Sequence, residues 1–315
     1  MIRNNKLAPV VLFVYNRLHH TKTTIETLKK NILANESELY IYSDGPKNSE
    51  VSVTVNEIRK YLKSVTGFKK VTIIEREKNW GLAASIIDGV NTVIKNNGKI
   101  IVLEDDLLTS KYFLKFMNDA LMMYDDVENI FSITGFSFST KFMKFPDKYH
   151  EDIYLNIRPM SWSWATWIDR WEDVDWEVKD FQKFINNPKQ IKEFNRGGTD
   201  LTRMLKNQMN GKLDSWYIRW TFNAFKKKKL TIYPRVSHVN NIGHDDSGVH
   251  CSEDTDNIYS HIELNDEEVN KFNKHIELNN DIVKSFNRGF NTNYLKILKR
   301  KVKKISFLNI LSIKK

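Results

Sequence analysis

The stretch Lys99-Ile100-Ile101-Val102-Leu103-Glu104-Asp105-Asp106 decides the fold. Its first five residues have the length and the apolar character of a buried strand. Three acidic residues follow directly, and adjacent carboxylates repel one another unless a cation compensates them. The stretch therefore predicts a strand that carries concentrated negative charge to one edge of a sheet.

Three similar segments precede this strand, and a helical pattern follows each of them. The predicted strands are Pro9–Val14, Leu39–Tyr42 and Lys70–Glu75, and the predicted helices are 21–33, 55–65 and 82–96. The apolar faces of the first and third helices are read as Ile25, Leu28 and Ile32, and as Ala84, Ile87, Val90, Asn91 and Ile94. This βαβαβαβ order predicts an α/β fold with a Rossmann-like, mostly parallel sheet flanked by helices.

Polar clusters follow all four predicted strands, and ligands of such sheets bind beyond the carboxyl ends of the strands. The clusters are Tyr15-Asn16-Arg17, Ser43-Asp44-Gly45, Lys78-Asn79-Trp80-Gly81 and Glu104-Asp105-Asp106. Carboxylate oxygens suit Mg²⁺ or Mn²⁺, an arginine suits phosphate, and Asp44 is placed to accept the imide N–H of uracil. Taken singly, the acids are equally explained as a helix-capping strand end, Asp44 as a turn, and Arg17 as a surface residue.

The second half of the chain is aromatic. Seven of the eight tryptophans lie between Trp162 and Trp220, and Leu230–Tyr233 is a further predicted strand. Aromatic rings pack against the C–H faces of sugars, so Trp162, Trp164 and Trp216 are candidates for an acceptor site. The alternative is that Trp162, Trp164 and Trp167 belong to the core. We predict one domain over residues 1–290, with halves 1–135 and 136–290, and a separate tail over residues 291–315.

Several motifs in a fixed order carry a family resemblance over residues 7–255. They are Val14-Tyr15-Asn16-Arg17, Ser43-Asp44-Gly45, Glu104-Asp105-Asp106-Leu107, Asp214-Ser215-Trp216-Tyr217-Ile218-Arg219 and Tyr233-Pro234-Arg235-Val236-Ser237-His238. The array resembles bacterial family-2-like glycosyltransferases of the GT-A fold, with Glu-Asp-Asp in place of the usual Asp-X-Asp. It is distantly similar to the type I N-acetylglucosaminyltransferase family, which adds GlcNAc to mannose.

The resemblance implies inverting transfer of a sugar from a nucleotide-sugar donor, UDP-GlcNAc being one candidate, to a glycan hydroxyl. It implies that Arg17 contacts the diphosphate, that Asp44 reads uracil, and that Asp106 ligates Mn²⁺ or Mg²⁺. Glu104 and Asp105 then contact the ribose and the metal-bound waters. The expected donor-binding residues are Tyr15, Arg17, Asp44, Asn79, Gly81, Glu104 and Asp105.

Asp214 matches the family's catalytic base, although Ser215 replaces the second acid of that motif and one extra residue precedes Arg219. An apolar setting beside Leu213 and Trp216 would raise the pKa of Asp214. The alternative role for Asp214 is the N-cap of the next helix.

The segment 241–250 resembles the family's donor-covering loop. Within it, His250 is expected to ligate the metal or bind the diphosphate, and His244 is expected to be a surface histidine.

The charge of the chain is concentrated in its tail. Eight lysines and arginines and no acid lie between Tyr294 and Lys315, out of a net charge of +10. Interleaved with apolar residues, they predict a basic amphipathic helix on an anionic membrane, or else a helix packed on the domain. The rest of the chain is nearly neutral, which argues against a nucleic-acid partner.

Composition narrows the remaining possibilities. No apolar run has the roughly 18 residues that a membrane span requires, and the single Cys251 has no partner for an internal disulfide. A cytoplasmic protein, peripheral on the inner face of the cell membrane, is expected. Two alternatives stay open: a non-enzymatic carbohydrate-binding protein and a sugar-phosphate nucleotidyltransferase. The latter needs a glycine-rich loop after strand one, and none is present.

Overall fold

A computed structural model of the chain describes residues 6–243, 262–269 and 271–291. The strands of its main sheet are β1 (Val10–Val14), β2 (Glu38–Ser43), β3 (Lys70–Glu75), β4 (Lys99–Glu104), β6 (Ile130–Thr134), β7 (Ile153–Asn156), β8 (Trp164–Trp167) and β9 (Leu230–Pro234). Their spatial order is β3-β2-β1-β4-β8-β6-β9-β7. A separate two-stranded sheet pairs β5 (Leu107–Thr109) with β10 (Val239–Asn241).

The predicted mostly parallel α/β sheet is confirmed. Strands β3, β2, β1 and β4 are mutually parallel, so their carboxyl ends meet at one edge of the sheet, here named the carboxyl edge. Beyond β4 the sheet becomes mixed, because β8 runs antiparallel to both β4 and β6. The four polar clusters of the first half therefore share one edge, as the sequence predicts.

Helices cover both faces of the sheet. They are α1 (Leu18–Lys29), α2 (Ser49–Leu62), α3 (Leu82–Asn97), α4 (Phe113–Met123), α5 (Ile168–Glu172), α6 (Phe181–Ile185), α7 (Pro188–Phe194), α8 (Leu201–Met209), α9 (Trp216–Lys226) and α10 (Asn280–Asn287). Helix α2 begins six residues earlier than predicted, since the Asn48 side chain accepts the Val51 N–H and caps it. Helix α1 ends before Leu33, whose φ of 75° is left-handed.

The predicted buried face of α3 is correct at Val90 and Ile94 but wrong at Ala84 and Ile87. Ala83, Ile86 and Val90 are buried, whereas Ala84 is exposed and Ile87 is half-buried. Gly89 lies against the ring of Phe13, so this side of the helix meets the sheet. Apolar residues occupy neighbouring positions on α3, and periodicity alone left the two orientations close.

Most of the tryptophans form part of the core. Trp164 stacks on Trp171 with ring centroids 5.4 Å apart, and it also contacts Trp216 and Trp220. These rings pack against α3 and the face of β4 that carries Val102. No helix among the described residues combines the length and the apolar character needed to cross a bilayer.

Candidate active site

The acidic triplet lies at the carboxyl edge, where it meets an arginine from the neighbouring strand end. Arg17 immediately precedes α1, and its Nη2 donates to Asp105 Oδ1 and, at 2.8 Å, to Asp106 Oδ2. The backbone N–H of Tyr15 also donates to the Asp105 carboxylate. The structure thus brings together Tyr15, Arg17, Asp105 and Asp106 as the sequence predicts.

The electrostatics of the triplet follow from its burial. Burial, together with the negative charges of Asp106 and Asp105, raises the pKa of Glu104 to about 8, against the opposing effect of Arg17. Burial likewise raises the pKa of Asp105 to about 6, against the opposing effect of Arg17. Burial alone would lower the pKa of Arg17, but the two aspartates outweigh it and the pKa is raised. At neutral pH Glu104 therefore retains its proton in this arrangement, and one arginine balances the other two acids.

The small sheet delivers a second chain segment to the triplet. The N–H of Ile242, just after β10, donates to the backbone oxygen of Asp106 at 2.9 Å. A Cβ at Gly243 would meet Asp106 Oδ2 and lie 3.0 Å from Arg17 Nη1, so a larger residue there would have to displace these two side chains. Sequence reasoning did not single out Gly243; its place after a short polar strand was the available signal. His244 and His250, which follow, lie outside the described residues.

Asp44, Asn79 and Gly81 form a second cluster at the same edge. The Asp44 carboxylate accepts from Asn79 Nδ2 at 3.0 Å, from the Trp80 N–H at 2.9 Å and from the Gly81 N–H at 3.0 Å. Gly81 is the N-cap residue of α3 and has a φ of 75°, a left-handed value that favours glycine. Both oxygens of Asp44 thus have donors within the chain, and its contact with uracil stays a prediction.

Trp80 is a residue of this edge that sequence reasoning quoted but did not select. Its side chain is 47% exposed, although its backbone is held by Asp44. The guanidinium carbon of Arg76 lies 3.8 Å from the ring centroid and supports one side of the indole. Arg76 is held in turn by Asp88 at 2.6 Å. An aromatic ring is thus fixed beside the site yet accessible from solvent.

The acid cluster suits a hard cation, although no metal site is preformed among the described residues. No group of three or more His, Cys, Asp and Glu side chains converges there in a metal-binding arrangement. Arg17 donates to Asp106 Oδ2, and Gly243 lies close to the same oxygen. Mg²⁺ commonly takes one or two protein carboxylates and completes its shell with phosphate and water. The donor set fits an ion that arrives with a phosphate-bearing ligand.

The candidate acceptor tryptophans differ in accessibility. Trp164 and Trp216 are buried, so they present no open ring face, and burial favours their interpretation as core. Trp167 is also buried, with its Nε1 donating to Leu121 O at 3.1 Å. Trp162 is half-buried and meets Phe136 edge-on. Among the three candidates, Trp162 is the one with ring surface available for a sugar.

Asp214 precedes α9 at the surface. Its side chain is 71% exposed and pairs with Arg219 at 3.6 Å, so the predicted apolar setting is absent. The N-cap alternative for Asp214 is wrong, because the Ser215 hydroxyl accepts the Ile218 N–H and caps the helix. No observation yet tests Asp214 as a base.

The chain matches one family model and is similar to several solved structures. The family model described as glycosyl transferase family 2 matches residues 10–200. Among solved structures, the chain is similar to the mannosyltransferase PcManGT from Pyrobaculum calidifontis, solved with GDP-Man and Mn²⁺: 11% identity, TM-score 0.35, covering 53% of this chain and 46% of that one. It is also similar to S. aureus TarS, with 17% identity, TM-score 0.28, and coverage of 40% and 21%. No curated protein matches significantly.

The chain spans less than half the length of either solved structure. The family model, by contrast, covers well over half of this chain, from β1 to the start of α8, and includes every polar cluster of the carboxyl edge. The chain therefore belongs to glycosyl transferase family 2, and its mostly parallel sheet flanked by helices is of the GT-A type.

Proposed function

We propose that this enzyme is a metal-dependent, inverting glycosyltransferase that moves a sugar from a UDP-linked donor to a glycan hydroxyl. The observation that carries the proposal is the contact of Arg17 with both Asp105 and Asp106 at the carboxyl edge. The Arg17 guanidinium and the two carboxylates are the groups that a diphosphate and a divalent ion would each engage.

Arg17 changes partners when the donor binds. Its guanidinium is suited to paired contacts with phosphate oxygens, and its side chain is partly exposed, so the diphosphate can reach it. With Arg17 on the diphosphate, Asp106 would be the residue that holds Mn²⁺ or Mg²⁺. Such an ion would supply positive charge that stabilises the departing diphosphate. Glu104, whose pKa is raised to about 8, would release its proton to solvent if positive charge accumulated beside it.

The acceptor hydroxyl requires a base, and Asp214 is the proposed group. Attack occurs at the anomeric carbon, on the face opposite the leaving diphosphate, while the Asp214 carboxylate removes the hydroxyl proton. The exposed side chain leaves room for an acceptor to approach, and Arg219 holds it at the start of α9. We assign the acceptor sugar to the half-buried ring of Trp162.

The uracil base is assigned to the Asp44 cluster. Asp44, Asn79 and Gly81 are fixed by mutual hydrogen bonds next to the end of β1, where Asp44 N–H donates to Val14 O at 3.1 Å. Trp80 adds an exposed ring on which a planar base can stack. UDP-GlcNAc is our first candidate donor, and a surface polysaccharide or a lipid-linked glycan is the proposed product. The basic tail would bring the enzyme to the inner face of the cell membrane.

The test is a calorimetric screen of UDP-, GDP- and CMP-linked sugars against the full chain, with and without Mn²⁺. We expect a UDP-sugar to bind with Mn²⁺ and to bind far more weakly in EDTA. Asp214→Asn should keep this binding and lose sugar transfer, while Asp169→Asn, an exposed acid on α5, should keep both. Failure of every activated sugar to bind would end the proposal, and full transfer by Asp214→Asn would remove the base assignment.

A further inference from the structure

A groove lies at the amino edge of the sheet, opposite the candidate active site. It has a volume of about 580 Å³ and opens between α7, α8, the end of α9 and the start of β9. Its apolar floor is formed by Ile157, Phe194, Leu201, Phe225, Leu230 and Leu278. We name it the basic groove, for the charges on its rim.

The rim is strongly cationic. It carries Lys189, Arg196, Lys226, Lys228 and Lys229. Glu193 is the one acid in the lining, and it pairs with Arg196; Lys226 pairs with Asp180 at 2.8 Å. Within the described part of the chain, Lys189, Lys228 and Lys229 make no ion pair. Their charge is available to an anionic ligand.

The backbone conformation at Lys228 is unfavourable for a lysine, so a positively charged residue at this position lowers the stability of the fold. Helix α9 closes with two backbone bonds, from Lys228 N–H to Phe225 O at 3.0 Å and from Lys229 N–H to Ala224 O at 2.9 Å. This ending puts Lys228 in the left-handed region, with a φ of 52°. Glycine is the usual residue there because it has no Cβ. A lysine at this position weakens the helix end and adds a cation to the rim.

We propose that the basic groove binds the surface of a membrane containing anionic phospholipid. The lysines contact headgroup phosphates, and the apolar floor takes the first part of an acyl chain. Charge complementarity selects this occupant, because each lysine or arginine near an anionic bilayer adds attraction. The cationic tail of this chain would be repelled by the same rim. This attachment is independent of the sugar-transfer chemistry proposed above.

The groove is also joined to the segment that leads to the tail. Asn287 Nδ2, at the end of α10, donates to the backbone oxygen of the rim residue Arg196 at 2.9 Å. Four residues later the described part ends at Asn291, and the eight cations of the tail follow in sequence.

The experiment measures co-sedimentation of the full chain with phosphatidylcholine vesicles, with and without phosphatidylglycerol. Loss of about fivefold in affinity is expected for each lysine removed, hence roughly 25-fold for Lys189→Gln with Lys229→Gln. The matched control is Lys30→Gln with Lys60→Gln, which removes the same charge at the end of α1 and on α2. These two lysines do not line the groove, so the affinity should stay nearly unchanged. Lys228→Gly should lose about fivefold while its melting temperature stays equal or rises.

The outcomes separate this site from its alternatives. Preserved affinity in the groove variant, or an equal loss in the control pair, overturns the proposal. So does binding that does not depend on phosphatidylglycerol, or complete displacement by inorganic phosphate, which would indicate a site for the free anion. If the wild-type chain does not bind vesicles but binds polyglutamate, the groove is a site for an acidic protein instead. The Lys228→Gly variant excludes misfolding as a reason for lost binding.

Discussion

Two arginine–aspartate pairs, one in each half of the molecule, have the same chemistry and opposite surroundings. Arg17 is 19% exposed at the carboxyl edge and contacts two aspartates of one turn. Arg158 is 3% exposed and grips Asp200 with both nitrogens, at 2.8 and 2.9 Å. Arg17 has an open side from which a ligand can replace a carboxylate. Arg158 has none, because its guanidinium also lies 3.7 Å from the Phe290 ring centroid.

The difference shows how one residue pair serves either binding or folding. Arg158 also donates to Gly197 O at 3.0 Å, and its backbone oxygen accepts from Tyr233. These fixed partners join β9, the segment before α8, and the residues after α10. Among the described residues, the hydrogen-bond partners of the Arg17 side chain are the two carboxylates, so its contacts can be exchanged at little structural cost.

The largest expected effect follows the removal of a charge from the open pair, Arg17 with its aspartates. This effect is on catalytic activity. In Asp106→Asn the amide still accepts from Arg17 but is a poor ligand for a hard cation. Transition-state stabilisation should fall by about 4 kcal/mol, roughly a thousandfold in rate. The measurement is Mn²⁺-dependent sugar transfer, with thermal melting beside it.

The control for this variant is Asp119→Asn, which breaks the outlying Asp119–Lys115 pair and should keep full activity. A fully active, metal-dependent Asp106→Asn enzyme would show that the ion is held elsewhere.

Removing a charge from the closed pair should instead affect stability. Asp200→Asn leaves the buried Arg158 guanidinium uncompensated, which we expect to cost about 3 kcal/mol of unfolding free energy. Urea denaturation measures this, and donor binding by the folded fraction should not change. Weakened donor binding with unchanged stability would make Arg158 part of the site and erase the contrast.

Sequence patterns predicted the open half well for a physical reason. Each polar cluster there directly follows an apolar strand, so parallel pairing alone brings Arg17, Asp44 and Glu104 to one edge. The hydrogen bonds and ring contacts within the carboxyl edge could not be predicted, because they depend on residues that are distant in sequence. Trp80 was not separated from its neighbours, since its exposure follows from the Arg76 stack and the Asp44 anchor.

The second half could be predicted only in outline. Its aromatic residues indicated packing, yet a tryptophan on a sugar-binding surface and one in a core look alike in sequence. Trp164 is buried because β8 returns antiparallel to β4, a long-range pairing that no local pattern encodes. Asp214 and Ser215 are both good helix caps, and only the backbone geometry shows that Ser215 holds the position.

A third basic residue, His238, extends the comparison because it has no carboxylate partner among the described residues. His238 is fully buried, stacks on Phe116 with ring centroids 4.7 Å apart, and shares a 2.8 Å hydrogen bond with Ser110. Burial lowers its pKa from 6.5 to about 3, so it stays neutral in the folded chain while the unfolded chain protonates. Its contribution to stability is complete above pH 6.5 and falls steadily toward pH 3.

At pH 5 the histidine should cost the wild type about 2 kcal/mol of unfolding free energy, relative to its value at pH 7. His238→Gln can still bond to Ser110 but does not titrate. The difference in unfolding free energy between the two proteins should therefore shift by that amount between pH 7 and pH 5. Parallel pH profiles for wild type and variant would show that another group governs acid unfolding.

The smallest expected effect concerns a third arginine–aspartate pair, Arg76–Asp88. Arg76 stacks on the ring of Trp80 and does not itself contact a ligand in our proposal. Loss of a stacking surface is worth about 1 kcal/mol, so Trp80→Ala should weaken UDP binding roughly fivefold. Trp80→Phe should recover most of the lost UDP affinity. Leu82, two residues further on, is also exposed, and Leu82→Ala should not weaken UDP binding.

Calorimetry with Mn²⁺-pyrophosphate separates the contribution of the uracil base from that of the diphosphate. Pyrophosphate has no ring to stack, so it should bind wild type and Trp80→Ala alike. Equal weakening of both ligands would mean that Trp80 supports the fold of the edge through Asp44, and unchanged UDP binding would place the base away from the indole.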